Sequence, residues 1–300
     1  MKRILVIGDS FFDVYSYFVY KKKCPDAQNI SAYFLNSQLK RLGGAANVAI
    51  NIASLTKHVV VDFISAIDFN MAAELKKYNV DVSSSVYTEK AGEKNRIYLD
   101  GDISSRLDMN VIFNEEDING KLTEYLSSHN PDLVVISDYS HGIISDSLLN
   151  IFEDHLKKVM IVDTKFKSLE QFNGCLAIKL NSDEYNSVLL SEHSPERFCK
   201  GLIVTLGENG VFIKLQKKYS DVIKTDTLKI KSFATDIVDV CGCGDSFLAG
   251  MAASLIYGND LISSMYFGNA AAANVISKSR TSVADYDETK KILEINIWLI

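Results

Sequence analysis

The chain of 300 residues contains only three prolines and one tryptophan, and no proline- or glycine-rich tract interrupts it. Nothing marks a linker, so a single domain spanning 1–300 is expected. No run reaches the roughly 18 apolar residues of a membrane-spanning helix. The apolar start, Ile4 to Ile7, meets Asp9 too soon for a secretory signal. A cytoplasmic protein with no membrane partner is the expectation. Five scattered cysteines, an odd number, fit reduced thiols better than a disulfide framework. Cys241 and Cys243 form a lone C-x-C without the further Cys or His that a tetrahedral metal site needs. Positive charge is also short: 32 Lys and Arg stand against 38 Asp and Glu, a net of -6. That balance argues against a nucleic-acid-binding face, although a local basic cluster would still serve one phosphate.

What is present is a hydrophobic content of 47%, ample for a buried core. Short β-branched runs alternate with longer helical patterns, which predicts an α/β fold with a mostly parallel central sheet. Arg3–Ile7, Leu133–Ser137, Met160–Asp163, Leu176–Lys179 and Leu202–Thr205 are apolar enough to be strands covered on both faces. Asp9 lies just past the first, Asp138 follows the second and Asp163 closes the third. Open α/β sheets bind ligands at the carboxyl ends of their strands, so the three point to one cleft. Each alone would equally serve as a helix cap. Segments 30–39, 59–65 and 95–107 mix polar and apolar residues and suit a small antiparallel sheet. A β-lid contributed by segments near 11–40 and 85–110 is expected, inserted within the main domain. Lys21, Lys22 and Lys23 read as a solvated loop.

The chemistry is densest from Asp239 to Gly250. Gly242 and Gly244 permit a tight turn, a helical apolar pattern runs from Phe247 to Tyr257, and Asp245 falls in its first turn. A helix N-terminus offers unpaired N–H groups and partial positive charge, which together attract an anion. Small residues let the backbone of Gly242, Cys243 and Gly244 approach a phosphoryl group. A carboxylate beside it can take a proton from an attacking hydroxyl. The same residues would also make a plain helix cap after a glycine turn.

This segment resembles the C-terminal signature of the ribokinase-like (PfkB) carbohydrate kinases, Asp-x-Thr-Gly-Ala-Gly-Asp, with Cys241 for the usual Thr and Cys243 for the usual Ala. The resemblance implies a three-layer ribokinase-like sandwich, ATP and Mg²⁺ as cofactors, Asp245 as catalytic base and an anion hole of Gly242, Cys243 and Gly244 amides. Leu42 to Ala49 resembles the family's N-terminal signature, which implies Gly43, Gly44 and Asn47 at the sugar. Asp9 and Asp13 match its opening carboxylates, which clamp sugar hydroxyls. Asn181 and Glu184 match its Asn-x-x-Glu motif, in which Glu184 organises a hydrated Mg²⁺. Thr205, Gly207 and Gly210 match its nucleotide loop, and Asn269 falls near the adenine. Asp239 stands where members that use K⁺ hold it.

Within the family, Cys24 to Ala27, Gly43 to Leu55, Lys94 to Arg96, Arg106 to Asp108 and Ser137 to Tyr139 are similar to bacterial heptose 7-phosphate kinases. Those enzymes phosphorylate the anomeric hydroxyl of D-glycero-D-manno-heptose 7-phosphate for surface polysaccharide. This implies a phosphate clamp of Lys94, Arg96 and Arg106 on the lid, a substrate contact from Asp138 and charge neutralisation by Lys165. Cations on exposed strands also block edge pairing. The sequence departs from the pattern in four places: shorter stretches at 67–80 and 185–201, His141 for a lysine, and Arg280 for a glycine. A homodimer through the lid is expected, with a separate nucleotidyltransferase taking the next step. Two alternatives stand beside this reading: a kinase of another hexose, pentose or nucleoside, and a non-catalytic nucleotide- or sugar-binding regulator. A Rossmann dehydrogenase is disfavoured, because the first strand runs into Gly8, Asp9 and Ser10 and not into G-x-G-x-x-G.

Overall fold

The first strand, β1 (Lys2–Gly8), sets the architecture: Ile4 and Val6 pack into one apolar cluster, Leu5 and Ile7 into another. Alternate residues of a strand face opposite ways, so both faces of the sheet are covered. A computed structural model describes residues 1–24, 31–165, 168–191, 194–216, 227–278 and 280–297. Pro25, Asp26 and Ala27 of the heptose-kinase resemblance lie outside them. After β1 come β2 (Ser10–Lys23), β3 (Ser31–Gly44), β4 (Val59–Ile64), β5 (Ala66–Ile67), β6 (Val80–Asp81) and β7 (Val86–Tyr87). Next are β8 (Gly92–Leu99), β9 (Asp102–Met109), β10 (Leu133–Ser137), β11 (Met160–Asp163) and β12 (Cys175–Asn181). β13 (Cys199–Thr205), β14 (Val211–Leu215) and β15 (Thr227–Ile230) complete the set.

Among the described residues the main sheet runs β15-β14-β13-β12-β11-β10-β1-β4-β6. It is parallel from β13 to β6, with β14 and β15 added antiparallel at one edge. Helices Ala45–Leu55 and Cys243–Ile256 cover one face, and Glu115–Ser128 contributes to the other. The result is the ribokinase-like three-layer α/β arrangement. A separate four-stranded sheet, β3-β2-β8-β9, grows out of the carboxyl end of β1. No helix among the described residues is long and apolar enough to cross a membrane.

The strand at Val59–Ile64 belongs to the main sheet, parallel to β1, and not to the small one. Asp62 makes it look half-exposed in sequence. In the fold its carboxylate is 4% exposed and receives the Arg3 guanidinium at 2.6 Å and the Tyr125 hydroxyl at 2.7 Å. A buried charge is tolerable only when paired in this way. Lys21, Lys22 and Lys23 are not a loop; they end β2, solvated but hydrogen-bonded along the β2–β3 hairpin. The segment expected over 95–107 is two strands, joined where Asp100 and Gly101 take positive φ of 51° and 103°.

Candidate active site

Strand order reverses between β10 and β1, and the crevice at such a point is where open α/β sheets bind ligands. Asp9 and Asp138 lie there, both buried. Asp9 accepts the backbone N–H groups of Tyr139, His141 and Ile143 at 2.8, 3.0 and 3.0 Å. Asp138 accepts from Ser140 N, Thr164 Oγ1 and Lys165 N, and burial pushes its carboxyl upward. Both carboxylates, which the resemblance places at the sugar, staple loops in the fold. A buried carboxylate needs donors, and the turns after the strands supply amides.

The helix Cys243–Ile256 begins at Gly242, whose left-handed φ of 79° no larger side chain adopts easily, with no side-chain cap. The amides of Gly242 and Gly244 have no acceptor among the described residues, whereas Cys243 N already donates to Val240 O at 3.3 Å. The implied anion hole is therefore centred on the two glycines. Asp245 is 3% exposed; Asn47 Nδ2 donates to its Oδ2 at 2.9 Å and the Tyr139 hydroxyl to its Oδ1 at 2.7 Å. Burial pushes its carboxyl up to about 6, against the two hydrogen bonds. That places a proton acceptor within its working range at neutral pH. Asn47, which the resemblance places at the sugar, thus donates to the base. Lys179 reaches the same place: its ammonium is 2.5 Å from Asp163 and would lie 3.2 Å from a Cβ at Gly244.

On the side where the resemblance implies the nucleotide, a cleft of about 560 Å³ is lined by Lys179, Asn181, Thr205, Gly244, Phe247 and Asn269, among others. Asn181 and Glu184 form a reciprocal capping box on the helix Ser182–Leu189, and Lys165 pairs with Glu184. Burial lowers the Lys165 ammonium. Thr205 Oγ1 donates to Leu180 O at 3.3 Å, while Gly207 and Gly210 turn the following loop with φ of 58° and 88°. The Asn269 amide bonds Lys231 O at 2.7 Å and Phe233 N at 3.3 Å. It anchors a wall of the cleft. No trio of His, Cys, Asp or Glu gathers for a metal among the described residues. Glu184, beside the cleft, has its carboxylate engaged by Lys165 and Asn181, so a Mg²⁺ there would be held mainly by phosphate oxygens and water. Asp239 accepts Cys241 N and Arg280 N, each at 2.9 Å, so both its oxygens already shape the loop where a monovalent cation was expected.

On the acceptor side the charges meet one another. Arg96 donates to Asp13 at 2.6 Å, and the Thr281 hydroxyl donates to the second oxygen of Asp13 at 3.1 Å. Gly43 lets Asp13 in, since a Cβ there would sit 2.7 Å from its carboxylate. Gly44 opens the helix Ala45–Leu55. Arg106 lies on the outer strand β9, 56% exposed, with its guanidinium on Asp108. Two of the three expected phosphate cations are thus committed to carboxylates. Lys94 has no ion pair among the described residues; its ammonium sits 3.9 Å from the Phe11 ring centre and 4.5 Å from that of Tyr139. Burial lowers it. His141 stacks on Phe11 at 5.9 Å, within the same group.

Tyr139, Thr281 and Lys179 carry contacts for which the sequence motifs assigned no role. Lys179 stands out in sequence as a lone cation in an otherwise apolar central strand, and Tyr139 only as the end of the Ser137 to Tyr139 resemblance.

The pattern of the pfkB family carbohydrate kinases matches residues 1–288. The bifunctional protein HldE of Helicobacter pylori strain G27 is 27% identical over 319 residues, covering 98% of this chain and 66% of its own length. HldE of Escherichia fergusonii is 29% identical over 300 residues, covering 93% and 61%. The chain thus spans about two thirds of the length of the curated relatives it matches. Escherichia coli phosphofructokinase-2, in complex with potassium, superposes with a TM-score of 0.76 at 18% identity over 99% of this chain and 100% of its own. Arabidopsis thaliana ribokinase, complexed with ribose and ATP, gives 0.72 at 17% identity over 98% of each. The fold is theirs, and by the match over nearly its whole length the chain belongs to the pfkB family of carbohydrate kinases.

Proposed function

We propose that this phosphotransferase moves the γ-phosphoryl group of ATP to the anomeric hydroxyl of a phosphorylated heptose, D-glycero-D-manno-heptose 7-phosphate. The observation that carries the substrate class is Lys94: a half-buried ammonium on the acceptor side, without an ion pair among the described residues, next to the base. Such a cation is completed by an anionic substrate group. The sequence resemblance to heptose 7-phosphate kinases supports the choice of sugar.

Asp245 takes the proton of the attacking hydroxyl as its oxygen bonds to the γ-phosphorus and the bond to ADP breaks. The Gly242 and Gly244 amides and the Lys179 ammonium face the charge that spreads over the transferred oxygens. Mg²⁺, when bound with the nucleotide, would neutralise phosphate charge, and Glu184 is the residue that would hold its water shell.

ADP release measured over a panel of phosphorylated and free sugars tests the reading. Asp245→Asn should lower turnover by roughly 10²–10⁴-fold while leaving ATP binding intact. Lys94→Met should raise KM for the phosphorylated sugar far more than for its unphosphorylated counterpart. Near-parental turnover in the first variant, or equal losses on both sugars in the second, would overturn it.

A further inference from the structure

Asp245 is guarded on both oxygens. Asn47 holds Oδ2 and the Tyr139 phenol holds Oδ1, on a carboxylate only 3% exposed. With so little of the carboxylate exposed, a water or sugar hydroxyl seeking the base has to reach past these donors. Asn47 is the fixed one: its Oδ1 and its carbonyl both accept from Asn51 Nδ2, at 2.9 and 2.8 Å, within the helix Ala45–Leu55. Tyr139 sits on the loop after β10 and lines the nucleotide cleft. Its ring meets Phe11 edge-on at 5.2 Å, with the Lys94 ammonium 4.5 Å away and that of Lys165 at 5.5 Å. Lys94 belongs to the acceptor side and Lys165 to the nucleotide side. The ring is thus a partition between the two halves of the site.

We infer that the Tyr139 phenol is a cap on the base, which keeps water from using Asp245 to hydrolyse ATP until a sugar hydroxyl takes its place. Tyr139 is a positioning residue in this role, and the inference rests on the kinase reading above. In the reaction it suppresses, a water oxygen bonds to the γ-phosphorus, the bond from phosphorus to the bridging oxygen of ADP breaks, and the water proton passes to Asp245. In transfer, the sugar hydroxyl occupies the position the phenol vacates. A kinase holding ATP without acceptor faces this leak, and a phenol already bonded to the base closes it without a separate moving segment. The charged and titratable groups around Asp245 are Asp163 on β11, Lys179 on β12, Lys165 after β11, Lys94 on β8 and Cys243 on its own helix. Tyr139→Phe leaves all of these in place and removes one oxygen.

The test measures phosphate release from ATP without sugar at pH 8, where the base is ionised in parent and variant alike. Tyr139→Phe should raise sugar-independent hydrolysis about tenfold, since a hydrogen bond to a charged group is what it removes. It should also move the acid limb of kcat/KM for transfer upward from about 6, because the phenol favours the ionised carboxylate. Thermal unfolding confirms that the variant folds. The double variant Tyr139→Phe/Asp245→Asn should return hydrolysis to the parental level. Unchanged hydrolysis in folded Tyr139→Phe, an unmoved acid limb, or excess hydrolysis that survives in the double variant overturns the cap. Absence of transfer to any acceptor by the parent would instead be the failure of the kinase reading.

Discussion

The two halves of the site are built on different terms. The half proposed for the nucleotide is a cleft of about 560 Å³ whose chemistry comes largely from backbone: the amides of Gly242 and Gly244, without an acceptor among the described residues, the turns at Gly207 and Gly210, and a capped helix at Asn181. The acceptor half is closed on itself, its side chains satisfying one another through Arg96 with Asp13, and Asn47 and Tyr139 with Asp245. A phosphate is the same in every nucleotide, and fixed amides suffice to hold it. A sugar must be distinguished by its hydroxyls, and side chains that pair until it arrives make the site selective. A poorly matched acceptor leaves those groups worse satisfied than before.

The largest expected effect probes the buried ion pair of Lys179 with Asp163. Lys179→Met strands Asp163 in the interior, which should cost about 3–5 kcal/mol by urea unfolding along with most turnover. Changing Asp163→Leu as well should recover much of the stability and none of the turnover. If the double variant regains turnover, Lys179 serves packing and not the anion hole.

A middle-sized effect comes from Asp245 itself. Burial raises its folded pKa to about 6, above the roughly 3.9 of an unfolded Asp. The folded state therefore binds the proton more tightly. The cost of ionisation is absent below about pH 4 and grows to as much as about 3 kcal/mol as pH rises through 6. Asp245→Asn carries no such cost, so its stability relative to the parent should climb between pH 4 and pH 8, on top of any constant offset from the altered bond to Asn47. Parallel pH–stability curves for the two proteins would show that the acceptor half stores no such strain.

The smallest effect is expected at the rim. Arg106→Ala removes an exposed guanidinium paired only with Asp108, so stability should change by less than about 0.5 kcal/mol. KM for the phosphorylated sugar should stay within about twofold. A tenfold rise would bring the outer strand into the acceptor half and blur the comparison.

The contrast also explains what the sequence makes legible. Parallel central strands announce themselves as apolar runs, and β10 and β11 fall on the expected residues. The strand β4 does not, because Asp62 looks like exposure until Arg3 and Tyr125 are seen on it. Backbone motifs survive as glycines and a helix start, so the loop at Gly242 to Asp245 is readable without coordinates. Asp9 and Asp138 stand out in the sequence as strand-end carboxylates, yet their amide partners depend on a turn geometry that no local pattern encodes. The roles of Tyr139 and Thr281 are hidden for the same reason: their partners, Asp245 and Asp13, lie 106 and 268 residues away.

That distance has a consequence for how the molecule is made. Strand β1 finds its neighbour β10 only after more than a hundred intervening residues have been placed, and Asn47 meets Asp245 across 198 positions. Contacts of such long range repay their loop-closure entropy late in folding. The helix at Cys243 can wind early from local hydrogen bonds, but its carboxylate is an ordinary exposed acid until the N-terminal half docks on it. The raised affinity of Asp245 for a proton is therefore a property of the finished chain, acquired with the last closure.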